Sequence, residues 1–168
     1  MPKVRIKYEG LDIFQRKLDL LAQEATAVAA AAVYDGAGIA ANAMRTSVEG
    51  LRRVPDVVAI NAWRKGEASV LSVSQKIGLI EGLGIAPMKV TPSSVNTKVG
   101  FGGYNNVKTK RWPNGQPNTM VAGNLNHGSS NFLQRQPFIT AVKDVYASEI
   151  RKAMMKAATA KIDEILKG

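Results

Sequence analysis

The sequence predicts an α+β fold: a small antiparallel sheet packed by two long terminal helices, with a long loop-rich insertion between them. Three observations predict it. Apolar residues near each end recur at helical spacing, short alternating segments lie between turn-forming residues in the middle, and 168 residues are enough for one domain with a real core. Residues 1–48 are read as a strand and a long helix, 49–118 as an insertion of strands and loops, and 119–168 as a connector and C-terminal helix.

The elements follow in order. Val4-Arg5-Ile6-Lys7-Tyr8 alternates apolar and basic residues, the period of a half-buried strand, and Glu9-Gly10 breaks it. From Leu11, apolar residues at Phe14, Leu18, Leu21, Ala25, Val28 and Ala32 advance by three and four, which keeps them on one helical face. That helix is expected to reach about Ser47 and to bend at Gly36 and Gly38. Ala37, Ala40, Ala41 and Ala43 are small enough to let another backbone approach, and they suggest a self-association surface.

Val57 to Lys65 reads as a short helix carrying Trp63, and Val70 to Val73 as a strand. Ser74 to Leu83 reads as a helix capped by Ser74 and ended by Gly82 and Gly84. Val95 to Phe101 alternates like a strand, with Val107 to Trp112 as its candidate partner across the turn residues between them. Pro113-Asn114-Gly115 is a strong turn signal. After Gln136, Pro137 suits a helix start, and Phe138, Val142, Tyr146, Ile150, Met154, Ala157 and Ile162 mark a long amphipathic helix.

With 23 Lys and Arg against 13 Asp and Glu, the formal charge of +10 favours a polyanionic partner: nucleic acid first, an acidic protein surface second. The excess is not spread evenly. Between Glu81 and Asp144 no acidic residue occurs, while Lys89, Lys98, Lys108, Lys110, Arg111, Arg135 and Lys143 do. Lys108-Thr109-Lys110-Arg111-Trp112 sets cations beside an aromatic ring, as contacts to a phosphate backbone or an acidic neighbour require. Lys98, Lys108, Lys110, Arg111 and Arg135 are therefore the candidate contact residues. A solvated basic hairpin is the competing reading for each of them.

The chemistry of an enzyme is missing from the sequence. The absence of cysteine removes thiolate metal sites, disulfides and a cysteine nucleophile, and His127 is the single histidine. Ser129 and Ser130 lie near it, but no acid lies near in sequence to orient a triad. Gly100-Phe101-Gly102-Gly103 lacks the Gly-Lys-Ser/Thr ending of a phosphate loop. A non-enzymatic protein without a metal or cofactor is expected. No segment is read as reaching the ~18 or more apolar residues needed to span a bilayer and no leader is recognised, so membrane insertion is not expected and residence in a cytoplasm is.

Two stretches carry a family resemblance. The opening Val4 to Phe14, with its Gly10-Leu11-Asp12 entry into an amphipathic helix, resembles the start of tailed-phage neck and tail-completion proteins. His127-Gly128-Ser129-Ser130, followed by Arg135-Gln136-Pro137-Phe138, is similar to that family's stretch before its last helix. The minor tail protein Z of phage lambda is similar in kind. Met44 to Val48 lacks the family's usual Ala-Pro-Val-Asp-Thr-Gly-Arg-Leu segment, and Glu49 to Met88 reads as an insertion.

The resemblance implies a non-enzymatic virion protein, present in host cytoplasm during assembly and then in the tail or neck. It implies a homo-oligomeric ring, a hexamer by analogy with tail tubes, which joins head and tail around packaged DNA. Its neighbours would be tail terminator, tail tube or head–tail connector proteins. It also implies that His127, Gly128, Ser129, Ser130, Pro137 and Phe138 are motif or interface positions. A stand-alone basic nucleic-acid-binding module is the alternative, weakened by the absence of a recognition motif.

Overall fold

A computed structural model describes residues 10–167 and gives a mixed α and β architecture. The N-terminal strand expected at Val4–Tyr8 lies outside the described residues. Helix α1 spans Leu11–Gln23 and α2 spans Ala25–Glu49. The single helix expected here is thus interrupted at Glu24, while Gly36 and Gly38 stay inside a regular helix. The reason is packing. A Cβ on Gly36 would lie 2.6 Å from Met154 Cγ, so glycine here admits a neighbouring helix rather than bending its own.

That neighbour is α6, Phe138–Lys167, a 30-residue helix that Pro137 precedes as expected. It runs antiparallel to α2: Gly36 faces Ile150 and Met154, and Ala30 and Ala31 share a surface depression with Ala157 and Ala160. Ala37 and Ala43 are buried within the chain's own fold, so they do not offer the open alanine surface expected for self-association. By length and a mean hydropathy of 1.2, α2 does reach the threshold of a membrane-crossing helix, which corrects the expectation that no segment would. Its apolarity is mostly alanine, and one side of it is packed against α6.

Between α2 and α6 the chain builds a head. Strand β1 (Arg53–Val54) leads into α3 (Asp56–Arg64) and then β2 (Leu71–Ser72), which pairs with β1 in parallel. Helix α4, Val73–Gly82, is capped by Ser72 rather than Ser74: Ser72 Oγ accepts from the Gln75 N–H (3.2 Å), and Gln75 Oε1 accepts from the Ser72 N–H (3.0 Å). Asp56 adds a second cap, accepting from the Ser74 N–H at 2.9 Å and from the Ser74 hydroxyl. Burial opposes ionisation of Asp56, but these bonds and one from Ser72 outweigh it and hold the carboxyl below its ordinary 3.8.

The remaining strands are short. β3 (Leu83–Ile85) pairs antiparallel with β6 (Val99–Phe101), and β4 (Lys89–Thr91) with β5 (Ser94–Asn96). The expected strand over Val95–Phe101 is therefore two, separated by Thr97 and Lys98. Its partner is not Val107–Trp112, which is irregular, but the stretch just after α4. The fold is α+β as expected, and among the described residues its sheet structure consists of three two-stranded ladders, two antiparallel and one parallel.

Helix α5, Asn118–His127, occupies much of what was expected to be a connector. It fills the head: Val121, Ala122 and Leu125 join Val48, Leu71, Leu79, Phe101, Leu133 and Phe138 in one apolar cluster. Lys76, also buried, turns its ammonium to the end of α2, donating to the Glu49 carbonyl (2.5 Å) and the Leu51 carbonyl (3.0 Å). This serves the C-terminal carbonyls of α2. Burial, reinforced by Arg53 and partly offset by Glu49, lowers its pKa from the ordinary 10.5.

Candidate functional site

Glycines fix the course of the segment between β6 and α5. A Cβ on Gly78 would sit 2.5 Å from Asn105 Cβ, and one on Gly82 would overlap the Gly102 carbonyl oxygen, so this segment lies directly on α4. Gly115, at φ +105°, turns the chain back under Asn105. Asn105 Oδ1 accepts from the Val107 N–H at 2.9 Å, and the backbone of Asn105 bonds to that of Gln116. The segment between these anchors is a loop, residues 105–117. Thr109 and Trp112 bond to each other's backbone at 3.0 and 3.1 Å and close its tip into a turn.

The tip stands opposite α3. Two adjoining recesses of about 320 and 620 Å³ lie between them, with Trp63 and Thr109 lining both and the smaller walled also by Met120 and Asn124 of α5 and by Ser129, Asn131 and Phe132. The smaller has an aromatic and thioether lining from Trp63, Trp112, Phe132 and Met120. Trp63 is held by its Nε1–H, which donates to the Phe132 carbonyl at 2.7 Å, and its ring meets Phe132 at 5.1 Å between centroids. Lys108, Lys110 and Arg64 border the larger recess, and Arg111 borders the smaller. The Arg111 guanidinium carbon lies 5.6 Å from the Trp112 ring centroid, within cation–π range. Among the described residues no acid lines either recess.

The candidate cations thus divide. Lys108, Lys110 and Arg111 come together, joined by Arg64, which the sequence reading did not single out. Lys98 is exposed in the turn between β5 and β6, where its carbonyl accepts from the Ala86 N–H. Arg135 is exposed beside Gly128. Neither Lys98 nor Arg135 borders the recesses. Lys108 and Lys110 do share a recess, although the alternating strand geometry expected to align them does not form.

The family-motif residues join α5 to α6. His127 is exposed as the last residue of α5, and Gly128, at φ +82°, ends the helix with its N–H on the Asn124 carbonyl. Ser129 exchanges bonds with Leu133: its N–H donates to the Leu133 carbonyl, and its Oγ accepts from the Leu133 N–H, both at 2.9 Å. Ser130 is exposed on that turn. The Pro137 carbonyl accepts from the Ala141 N–H, and Phe138 is buried edge-on against Phe101 at 5.8 Å.

Two residues outside the motif complete the joint. Asn126 Oδ1 accepts from the Ile139 and Thr140 N–H groups at the start of α6. Gln136 exchanges amide bonds with the backbone of Arg52. In this chain most of the motif shapes the fold; Ser129 lines the smaller of the two recesses beside Trp63, and Pro137 and Phe138 line a separate shallow depression with Thr46, Leu51 and Ala141.

Among the described residues no group of three or more His, Asp or Glu side chains is placed to hold a metal ion. No protein-family model, curated protein or solved structure matches this chain.

Proposed function

We propose that this chain is a structural subunit of a tailed-phage virion, a neck or tail-completion protein that assembles with itself into a ring around the DNA channel. The observation that carries the reading is α1. It has helical amphipathic spacing, yet none of its 13 residues is buried. Leu11, Phe14 and Leu18 are 58%, 60% and 49% exposed. A helix this short is marginal in water on its own and gains its stability by burying an apolar face. A ring subunit supplies that cover from its neighbour. The opening and pre-helix motifs resemble those of the phage family, and the cations of the 105–117 loop suit a lumen near DNA or an acidic adjoining ring.

Sedimentation velocity and negative-stain electron microscopy of the purified protein test this. The expected result is a closed annular particle, a hexamer by the resemblance. A monomer at every concentration, alone and with a tail-tube partner, overturns it. The trough of tryptophans and cations favours a second reading, a stand-alone nucleic-acid-binding module. That reading expects a monomer or dimer that retards DNA with a steep salt dependence and forms no ring.

A further inference from the structure

We propose that Asn114 is a self-modifying site: its side-chain amide is lost through attack by the Gly115 backbone nitrogen, and the carboxylate that replaces it lowers the charge of the 105–117 loop. The Pro113-Asn114-Gly115 turn thus carries chemistry as well as shape. This chemistry is independent of the ring reading.

An asparagine side chain places its Cγ within five-membered-ring reach of the next backbone nitrogen. The Gly115 nitrogen gives up its proton and attacks Asn114 Cγ. The N–Cγ bond forms, the Cγ–Nδ2 bond breaks, and Nδ2 leaves as ammonia with the added proton. Water then opens the succinimide. Attack at Cγ gives aspartate. Attack at the Asn114 main-chain carbonyl gives isoaspartate, whose chain runs through Cβ and Cγ. Water is the only co-reactant, and nothing is oxidised or reduced.

Three observations select Asn114. It is the one asparagine in the sequence followed by glycine, so no Cβ shields the attacking nitrogen. Asn96, Asn106 and Asn131 are also exposed outside helices, but Thr97, Val107 and Phe132 follow them. Second, Asn114 is exposed, whereas Asn105, Asn118 and Asn126 are buried in the head. Third, it lies in a turn. Asn42 and Asn61 are exposed but sit within α2 and α3, where the next nitrogen is part of a helical ladder. The Gly115 N–H is held by a bond to the Trp112 carbonyl, at 3.2 Å the long end of the normal range. Opening that turn frees the nitrogen, and loop openings of this kind need little free energy. Lys108, Lys110 and Arg111 precede it in the same loop, and their positive field favours the deprotonated nitrogen.

The consequences follow from the setting of the loop. Between Glu81 and Asp144 the sequence has no acid. A carboxylate at position 114 is the first in that interval, next to Pro113, which borders the larger recess with Lys108 and Lys110. It offsets one of the loop's cations. Isoaspartate also lengthens the backbone, and the chain just beyond has no slack. A Cβ on Gly115 would overlap the Asn105 carbonyl oxygen. The Gln116 carbonyl accepts from the Asn105 N–H at 3.0 Å, and Gln116 Oε1 accepts from Gln75 Nε2 at 2.7 Å. The extra methylene therefore displaces the tip and loosens the turn that Thr109 and Trp112 close.

The test ages the full-length protein in warm, mildly alkaline buffer. Peptide mapping by mass spectrometry is expected to find amide loss at Asn114 ahead of every other asparagine, and isoaspartyl methyltransferase is expected to label the same peptide. The aged protein should leave a heparin column at lower salt, as fresh Asn114→Asp does, and trypsin should cut it faster after Lys108, Lys110 and Arg111. Asn114→Gln closes a ring far less readily, so aged alongside it should keep the elution and trypsin resistance of fresh protein. The same chain in urea gives the rate with no fold around the site. An Asn114 amide that survives in the folded chain overturns the proposal, whether or not it is lost in urea. So does faster loss at another asparagine, or an elution shift on ageing that Asn114→Gln shares.

Discussion

Leu125 and Leu18 are both leucines on the apolar side of a helix, yet Leu125 is fully inaccessible and Leu18 is 49% exposed. They represent two regions. In the head, Val48, Leu71, Leu79, Val121, Leu125 and Leu133 have no exposure, and polar groups such as Gln75 and Gln116 are buried together with a 2.7 Å bond between them. In the stalk, formed by α1, the first half of α2 and the second half of α6, burial is thin. The only buried residues of α6 are Phe138 and Val142, both at its head end, while Val145 and Met155 are about as exposed as surface residues, at 69% and 70%. The head meets the requirement for a core within one chain. The stalk is held by close approach of small residues and leaves apolar surface exposed.

Mutations at matched positions can break this contrast. The largest effect is expected for Leu125→Ala, which removes side-chain atoms from the packed head. It should destabilise the monomer by about 2–5 kcal/mol in a denaturant titration. Leu18→Ala, measured under dissociating conditions, should change stability by less than ~0.5 kcal/mol. Equal costs at the two sites would remove the distinction between head and stalk.

A smaller effect separates two helical glycines. In the head, a Cβ at Gly78 meets the Asn105 Cβ and, at 3.0 Å, its backbone Cα. Gly78→Ala is therefore expected to cost about 1–3 kcal/mol, as overpacking does. In the stalk, a Cβ at Gly36 meets Met154, an unbranched side chain that can move. There the gain in helix propensity of ~1 kcal/mol offsets the contact, and Gly36→Ala should melt within a few degrees of wild type.

The smallest effect is pH-dependent. The folded-state pKa of Asp56 is below its unfolded value, so its contribution is complete above the unfolded value of 3.8 and is lost as pH falls through the folded pKa. Asp56→Asn should cost about 1 kcal/mol at neutral pH, in the range of helix caps. Its stability curve should meet that of wild type in acid. A difference that persists unchanged at low pH would show that geometry, not charge, is what Asp56 supplies to α4.

The parts that were legible in the sequence are those whose pattern is local. Helix α6 follows from Pro137 and the spacing of Phe138, Val142 and Tyr146, and the turn at Pro113–Asn114 follows from residue chemistry. Helix α5 was missed because two of its five buried positions, Asn118 and Asn126, are polar, so the apolar period carried by Val121, Ala122 and Leu125 is too short to stand out. The partner of β6 was misplaced because β3 contributes Leu83-Gly84-Ile85, where the glycine hides the strand pattern. The cluster Lys108 to Trp112 was visible as a run of residues. Its setting was not, since Trp63 and Arg64 arrive from α3 and Phe132 from beyond α5, and only folding brings them together.

The contact of Gly36 with Met154 also has a kinetic meaning. These residues are more than a hundred positions apart, so closing α2 on α6 early would cost the entropy of a very long loop. The contacts among α3, α4, α5 and the short strands span much shorter stretches and reduce that loop before the long helices meet. Folding should therefore run from the head outward, with the stalk zipping last. During synthesis α1 and the first half of α2 emerge well before α6 exists to receive them. An unfinished chain then lacks a formed stalk. Pulsed hydrogen exchange during refolding would register this order as protection in α4 and α5 ahead of the first half of α2.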